Sequence, residues 1–284
     1  MTKIVKYSGE LVDFEIDKLI QSLRRTKADE RVIQQIANEI KSKLYDGITT
    51  KQIYQLAYKM LNKSKQRPCC ASRYKLKKAI MELGPSGFPF ERFVAAILDQ
   101  EGFNTKVGVI MQGHCVSHEV DVIAKNDTKH YMVECKFHNR QGKVNDVKIP
   151  LYIQSRFMDL DKQCKINEGS DFKFHQGWIY TNTRFTTDAI QFGECAGLKL
   201  ISWDYPEKNS LTDQINRFGL FPITSLTTLT KREKQLFLDN GYVLCKDICN
   251  TPEILNELGI DRKKHKKILE NARDLYETMN GAGD

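Results

Sequence analysis

The pattern of apolar and polar residues predicts a short hairpin and then a run of helices over the first 83 residues. Lys3–Tyr7 and Glu10–Phe14 are predicted strands joined at Ser8-Gly9, a dipeptide that suits a tight turn. Apolar residues then recur at helical spacing in 18–25, 32–44 and 53–61, and 68–83 is a fourth candidate helix. The pair Thr49-Thr50 is a plausible cap for the third helix.

The pattern changes after GPSGFP, residues 84–89, where two glycines and two prolines predict a domain boundary. The next segment alternates between helical and strand-like stretches, which implies an α/β fold in which helices flank a mixed sheet. After Pro222 the chain is again helical. We therefore predict three domains, at 1–84, 86–222 and 223–284. The predicted elements beyond residue 89 are helices at 90–100, 148–161, 186–195, 231–239, 245–258 and 262–279, and strands near 104–111, 116–124, 129–137, 177–181 and 198–203.

Bulk composition narrows the functional classes. No run approaches the roughly 18 apolar residues that a membrane span requires, and the start lacks a secretory core, so we expect a cytoplasmic protein without a membrane partner. Eight cysteines without paired CxxC spacing argue against a zinc site. The net charge is +8, and the excess lies in residues 1–85, with 18 Lys and Arg against 9 Asp and Glu. Such a skew suits binding of a polyanion, although a solvated basic face explains it equally well.

Candidate chemistry lies in HEVDVIAKNDTKHYMVECKFH, residues 118–138. Alternation along a strand places Glu134 and Lys136 on the same side, and a hairpin can bring Asp121 of the preceding strand beside them. An acid and a lysine on a buried strand need a partner or a ligand. Two carboxylates with water and phosphate oxygens form the hard oxygen shell that Mg²⁺ prefers, and a nearby lysine can orient the nucleophile.

Residues 86–223 resemble the Mrr-type branch of the PD-(D/E)xK nucleases, which have a restriction-endonuclease-like fold. The resemblance rests on GFPFERFVAAILDQEGF, HEVDVIA, VECK and YTNTRFTTDAIQFGECAGLKLISWD. It implies that Asp121 and Glu134 bind Mg²⁺ or Mn²⁺, that Lys136 is catalytic, and that Glu91 supplies a further acid. It also implies an auxiliary role for Gln154, while Val120 replaces the proline of the motif.

Residues 3–83 resemble an ATP-cone, a nucleotide-binding regulatory module, through IVKYSGELVDFEIDKLIQSL, ITTKQIYQLAYKML and CCASRYKLKK. The resemblance implies that Val5, Lys6 and Lys18 contact ATP or dATP, with Tyr74 also retained. Lys77 and Lys78 stand where the module usually has a Tyr-Arg pair. The alternative is a basic helical domain that binds the DNA backbone.

Together these patterns predict a Mg²⁺-dependent DNA endonuclease that ATP or dATP regulates through the amino-terminal module. One centre per chain needs two chains or two encounters to cut both DNA strands, so a homo-oligomer is plausible. The alternative function is a nucleotide-sensing DNA-binding regulator that retains the nuclease fold without using it. The run RKKHKK, residues 262–267, is either a phosphate-contacting segment or a charged outer helix face.

Overall fold

The computed structural model describes residues 2–64, 68–166 and 173–277, and it divides into two compact units. Unit 1 comprises 1–79, 223–236 and 245–284, whereas unit 2 comprises 80–222 and 237–244. Unit 1 therefore groups the amino-terminal and carboxyl-terminal segments. Among the described residues, no helix is both long enough and apolar enough to cross a membrane.

Unit 1 has a small sheet in the order β2-β1-β3 with helices packed around it. The predicted hairpin is present with shorter strands, because Lys6–Glu10 form the turn and Gly9 has a φ of 87°. Thr49 caps α3 through a capping box with Gln52, as the Thr-Thr pair predicted. The strands are β1 (Lys3–Val5), β2 (Leu11–Asp13) and β3 (Ile48–Thr49), and the first helices are α1 (Ile16–Arg24), α2 (Glu30–Ser42), α3 (Thr50–Lys63), α4 (Pro68–Tyr74) and α5 (Leu76–Met81).

Two stretches predicted as single helices are each divided. The stretch 68–83 becomes α4 and α5, and 245–258 becomes two short helices separated at Thr251-Pro252, because proline disfavours helical geometry in the residue before it. The long carboxyl-terminal helix packs on α4, and the Arg73 side chain donates to the Leu275 carbonyl at 3.4 Å. This packing joins the carboxyl-terminal helix to the amino-terminal segment within unit 1. The elements here are a 3-10 turn (Ile223–Ser225), α10 (Lys231–Asp239), α11 (Cys245–Asn250), α12 (Ile254–Glu257) and α13 (Arg262–Glu277).

Unit 2 is built on a five-stranded mixed sheet in the order β10-β8-β6-β5-β4. β4, β5 and β6 are antiparallel neighbours, while β6, β8 and β10 run parallel. This confirms the mixed α/β class. The elements are α6 (Phe88–Gln100), β4 (Asn104–Gln112), β5 (Ser117–Lys125), β6 (His130–Lys136), β7 (Val144–Asn145), α7 (Lys148–Ile166), β8 (Phe174–Thr181), β9 (Arg184–Phe185), α8 (Thr187–Cys195), β10 (Lys199–Ile201) and α9 (Leu211–Phe218).

Helices cover both faces of this sheet. Met132 of β6 lies in a core cluster with Ile153 of α7, whereas Phe137, directly after β6, contacts Phe90 of α6 with ring centroids 5.7 Å apart. On the even-numbered side of β6, Met132 is fully buried and Glu134 is only 3% exposed. The acid of the motif is therefore inside the protein, where it needs a compensating charge.

Candidate functional site

The first two acids of the motif lie close together on neighbouring strands. The register of β5 with β6 ends at the pair Val122 and Val133, and Asp121 and Glu134 are the next residues of the two strands. The charge of Glu134 acts on Asp121 strongly enough to raise its pKa. The Cys135 backbone amide donates to Asp121 Oδ2 at 2.7 Å, which fixes this carboxylate against β6.

The strand is irregular at Asp121. Val120 and Ile123 belong to the same core cluster although they are three residues apart, so the usual alternation is interrupted between them. The register with β4 places Gly108 opposite Asp121, and Gly108 has a φ of 65°. Glycine adopts this conformation without a steric cost. Local distortion of this kind can redirect a side chain, and here it coincides with the first motif acid.

Glu134 is neutralised from two sides. Lys136 Nζ lies 2.5 Å from Glu134 Oε1, and Arg156 Nη1 lies 2.5 Å from Glu134 Oε2. Arg156 comes from α7, is itself buried, and also donates to the Glu119 carbonyl of β5. The two cations offset the cost of burying this carboxylate, and removal of Arg156 would leave one of its oxygens without a partner.

The sequence analysis missed Arg156, the partner from α7. The spacing of the sequence could have indicated that Arg156 is buried. Ile153, Arg156 and Leu160 recur at helical spacing and are buried on one side of α7. An arginine within an otherwise apolar, core-facing stripe requires an acid on the facing sheet. The sequence does not say which acid, because that depends on how α7 crosses the strands.

Burial and mutual repulsion perturb the two remaining acids. Burial, followed by the charge of Glu134, raises the pKa of Asp121 to about 6. Burial, followed by the charges of Asp121, Glu119 and Glu134, raises the pKa of Glu91 to about 7. The structure thus brings Glu91 from the first turn of α6 into the electrostatic range of the strand acids.

The other predicted or flanking polar residues lie outside this charged group. Gln154 is on α7, and its Oε1 is buried without a hydrogen-bond partner among the described residues. His118 pairs with Asp159 at 2.8 Å, and His138 lies 3.0 Å from Asn145 Oδ1. Each histidine ring therefore has a hydrogen-bond partner that is not one of the motif residues.

The carboxylates match the donor chemistry of a hard divalent cation. Asp121 and Glu134 supply oxygen atoms, and the raised pKa of Asp121 reflects negative charge that a cation would relieve. Within residues 2–64, 68–166 and 173–277, no group of three or more His, Cys, Asp or Glu side chains is arranged to hold a metal. Mg²⁺ often takes only one or two carboxylates together with waters and substrate phosphates, so the pair fits this smaller requirement.

The residues expected to contact nucleotide lie in unit 1. Val5 ends β1, and Lys6 follows it in the turn, where its ammonium pairs with Glu10 at 2.9 Å. Lys18 is exposed on α1 and pairs with Glu15 at 2.7 Å. Exposed pairs of this kind contribute little to stability, so both lysines can exchange partners for a phosphate.

Tyr74, the fourth expected nucleotide contact, is buried. Its ring stacks on Tyr54 with centroids 4.9 Å apart, and burial raises the pKa of its hydroxyl while a hydrogen bond with Ser22 opposes the shift. Ser22 lies one helical turn after Lys18 on α1. Tyr74 therefore lies beneath the part of α1 that carries Lys18.

A separate cavity of about 420 Å³ lies between α2 and α3 of unit 1. Lys43, Lys59 and Lys63 line it together with apolar residues that include Leu56. None of the four expected nucleotide contacts lies in its wall. The lysines of this cavity therefore form a second basic group in unit 1, separate from the expected nucleotide contacts.

Comparison with known protein families identifies an amino-terminal domain. The chain carries an ATP-cone domain, whose family model matches residues 2–82. This match suggests that nucleotide binding regulates the protein. A second family model, described as AF1548-like, C-terminal, matches residues 221–276.

The full-length comparisons then place the chain in a family. An uncharacterised protein from Archaeoglobus fulgidus is 37% identical over 183 residues, which are 64% of this chain and 99% of that protein. The crystal structure of AF1548, a protein of unknown function, is 35% identical, with a TM-score of 0.56 over 69% of this chain and 100% of that one. The chain belongs to the AF1548-like family.

Proposed function

We propose that unit 2 is a metal-dependent nuclease of the PD-(D/E)xK kind with a restriction-endonuclease-like core, and that DNA is its substrate. We further propose that ATP or dATP, bound to the ATP-cone domain, regulates this activity. The proposal is carried by the convergence of Asp121, Glu134 and Lys136 on neighbouring strands, with Lys136 2.5 Å from Glu134. Such a group on a mixed sheet suits phosphodiester hydrolysis.

Each residue has a defined task in this proposal. Asp121 and Glu134 hold Mg²⁺ or Mn²⁺, which when bound supplies Lewis-acid activation of water and of the phosphate. Lys136 orients the attacking water or neutralises a phosphate oxygen. Glu91, whose pKa is raised to about 7, can accept a proton near neutral pH, as a general base must. Gln154 is an auxiliary polar contact.

A second candidate is a nucleotide-sensing DNA-binding regulator that does not use this centre. One observation favours it: Lys136 and Arg156 occupy both oxygens of Glu134. In this second candidate, Glu134 has the structural role of joining β6 to α7 and binds no metal. The two candidates differ in whether Glu134 changes partners when Mg²⁺ is present.

A plasmid assay separates the two candidates. Purified full-length protein is incubated with supercoiled plasmid, with and without Mg²⁺ and with and without ATP. Nicked or linear product supports the nuclease, whereas a retarded but intact plasmid supports the regulator.

Matched variants locate the activity. Asp121→Ala and Lys136→Ala are expected to abolish cleavage, while Asp127→Ala and Lys129→Ala, which change exposed residues of the β5–β6 turn, are expected to retain it. Mg²⁺-dependent cleavage by a clean Asp121→Ala preparation would exclude the proposed centre.

A further inference from the structure

The first two turns of helix α13 present a basic face to solvent. Arg262, Lys263, Lys266 and Lys267 are all exposed, and Arg273 lies on the same side about 1.7 turns after Lys267. On a helical wheel these five cations fall within an arc of about 140°. Glu270 and Asp274 fall within this arc in the second half of the helix, and Asp261 directly precedes the helix.

The opposite side of α13 anchors the helix. Ile268, Ala272 and Leu275 are completely buried, and α13 packs against α4 and α11. Lys264 and His265 are used internally, since Lys264 pairs with Glu233 at 2.7 Å and His265 lies 2.8 Å from the Ile260 carbonyl. The orientation of the basic face is therefore fixed by the packing beneath it.

Without a bound partner, the cations of this face repel one another and destabilise the helix. Cations in the first turns of a helix oppose the helix dipole, and like charges at positions i and i+4 repel each other. Arg262 and Lys266 form one such pair, and Lys263 and Lys267 form another. No ion pair joins any of these four side chains to another residue in the described part of the chain. A polyanion would remove the repulsion.

We propose that this face of α13 binds the phosphate backbone of nucleic acid, with duplex DNA as the partner. Rows of cations about 6 Å apart along the helix suit a strand that presents regularly spaced phosphates. A helix that lies in a membrane surface needs apolar residues beside its cations. Among the described residues of α13, no large apolar side chain is exposed, so a lipid surface does not fit. The inference goes beyond the proposed hydrolysis and requires no step of it.

The test measures binding of a short fluorescent DNA duplex to full-length protein in EDTA, so cleavage plays no part. The variant combines Lys263→Glu, Lys266→Glu and Lys267→Glu. The control combines Lys106→Glu, Lys125→Glu and Lys129→Glu, which changes the net charge equally at exposed positions of unit 2. We expect the α13 variant to bind at least about tenfold more weakly, and the slope of log K against log salt to fall by about 3. The control should retain both values.

Folding is checked independently by circular dichroism and thermal unfolding. Glutamates in the first turns of α13 suit the helix dipole, so the triple variant is expected to unfold no earlier than the wild type. An equal loss of binding in both variants would mean that only net charge matters, and this would overturn the proposal. Unchanged affinity and salt slope in the α13 variant would overturn it as well, as would binding to anionic lipid vesicles but not to DNA.

Discussion

Replacing Asp121 with asparagine should stabilise the metal-free protein while it removes the proposed activity. Burial and the neighbouring Glu134 raise the pKa of Asp121 from 3.8 to about 6. The folded state therefore resists ionisation of this carboxyl, and near neutral pH the ionised form costs stability. Asparagine has a similar shape and can still accept the hydrogen bond from the Cys135 amide, but it carries no charge.

The size and pH range of the effect follow from the two pKa values. The difference corresponds to about 3 kcal/mol at about 1.4 kcal/mol per pKa unit, and partial access of solvent to Asp121 reduces this to about 2 kcal/mol. Below about pH 4 the carboxyl is protonated in both the folded and unfolded states, so the variant gains nothing. The gain grows as the pH rises from about 4 to about 6 and is constant above that range.

Thermal unfolding in EDTA measures this gain. For Asp121→Asn we expect the melting temperature of unit 2 to increase by roughly 5 °C at about pH 7.5, with no increase at about pH 4. Asp127→Asn changes an exposed acid of the β5–β6 turn and should have no effect. Mg²⁺ should raise the melting temperature of the wild type but not of Asp121→Asn. A variant that is no more stable than the wild type at about pH 7.5 would refute the electrostatic reasoning.

Three further predictions concern other charged residues. The cleavage rate should increase as the pH rises through about 7, the pKa of Glu91. Glu91→Gln should lower the rate about 100-fold and remove this pH dependence. A variant that keeps the wild-type pH profile would exclude a general base at this position. Arg156→Met leaves one oxygen of buried Glu134 without its cation, so denaturant unfolding should show a loss of about 3 kcal/mol, whereas unchanged stability would mean that the ion pair is dispensable. In a thermal-shift titration, Lys18→Ala should weaken the response to ATP and dATP, whereas Lys59→Ala in the cavity wall should not; the reverse result would place the nucleotide between α2 and α3.

The geometry of the motif could be predicted because it depends on local rules. Side chains two residues apart on a strand share a face, and Lys136 indeed pairs with Glu134. A hairpin with a short turn also brings particular residues of its strands together, and the Cys135 amide donates a hydrogen bond to Asp121 beside Glu134. The mixed sheet followed from the order of helical and strand-like segments, and helix α10 has the predicted ends, Lys231–Asp239.

What the sequence did not predict depends on packing between distant segments. Arg156 is 22 residues from Glu134, and their ion pair forms only because α7 crosses β6 at a particular place. The docking of α13 on α4 joins residues about 200 positions apart, and nothing in either helix alone identifies the other. Helix α9 was not predicted, although Ser210 with Asp213 forms a capping box and Gly219 ends the helix with a φ of 64°.

In the proposed nuclease, the charges around Asp121 and Glu134 indicate which carboxylate has the greater need of a divalent cation. Glu134 already has two cations within 2.5 Å, whereas among the described residues Asp121 accepts a hydrogen bond from the neutral Cys135 amide. Burial and repulsion accordingly raise the pKa of Asp121 to about 6 and that of Glu91 to about 7. The carboxyls with the least compensated charge are therefore those of Asp121 and Glu91. Protons neutralise Asp121 below about pH 6 and Glu91 below about pH 7. In the proposed nuclease a divalent cation would take over this role at higher pH, so protons and metal would compete for the same acids.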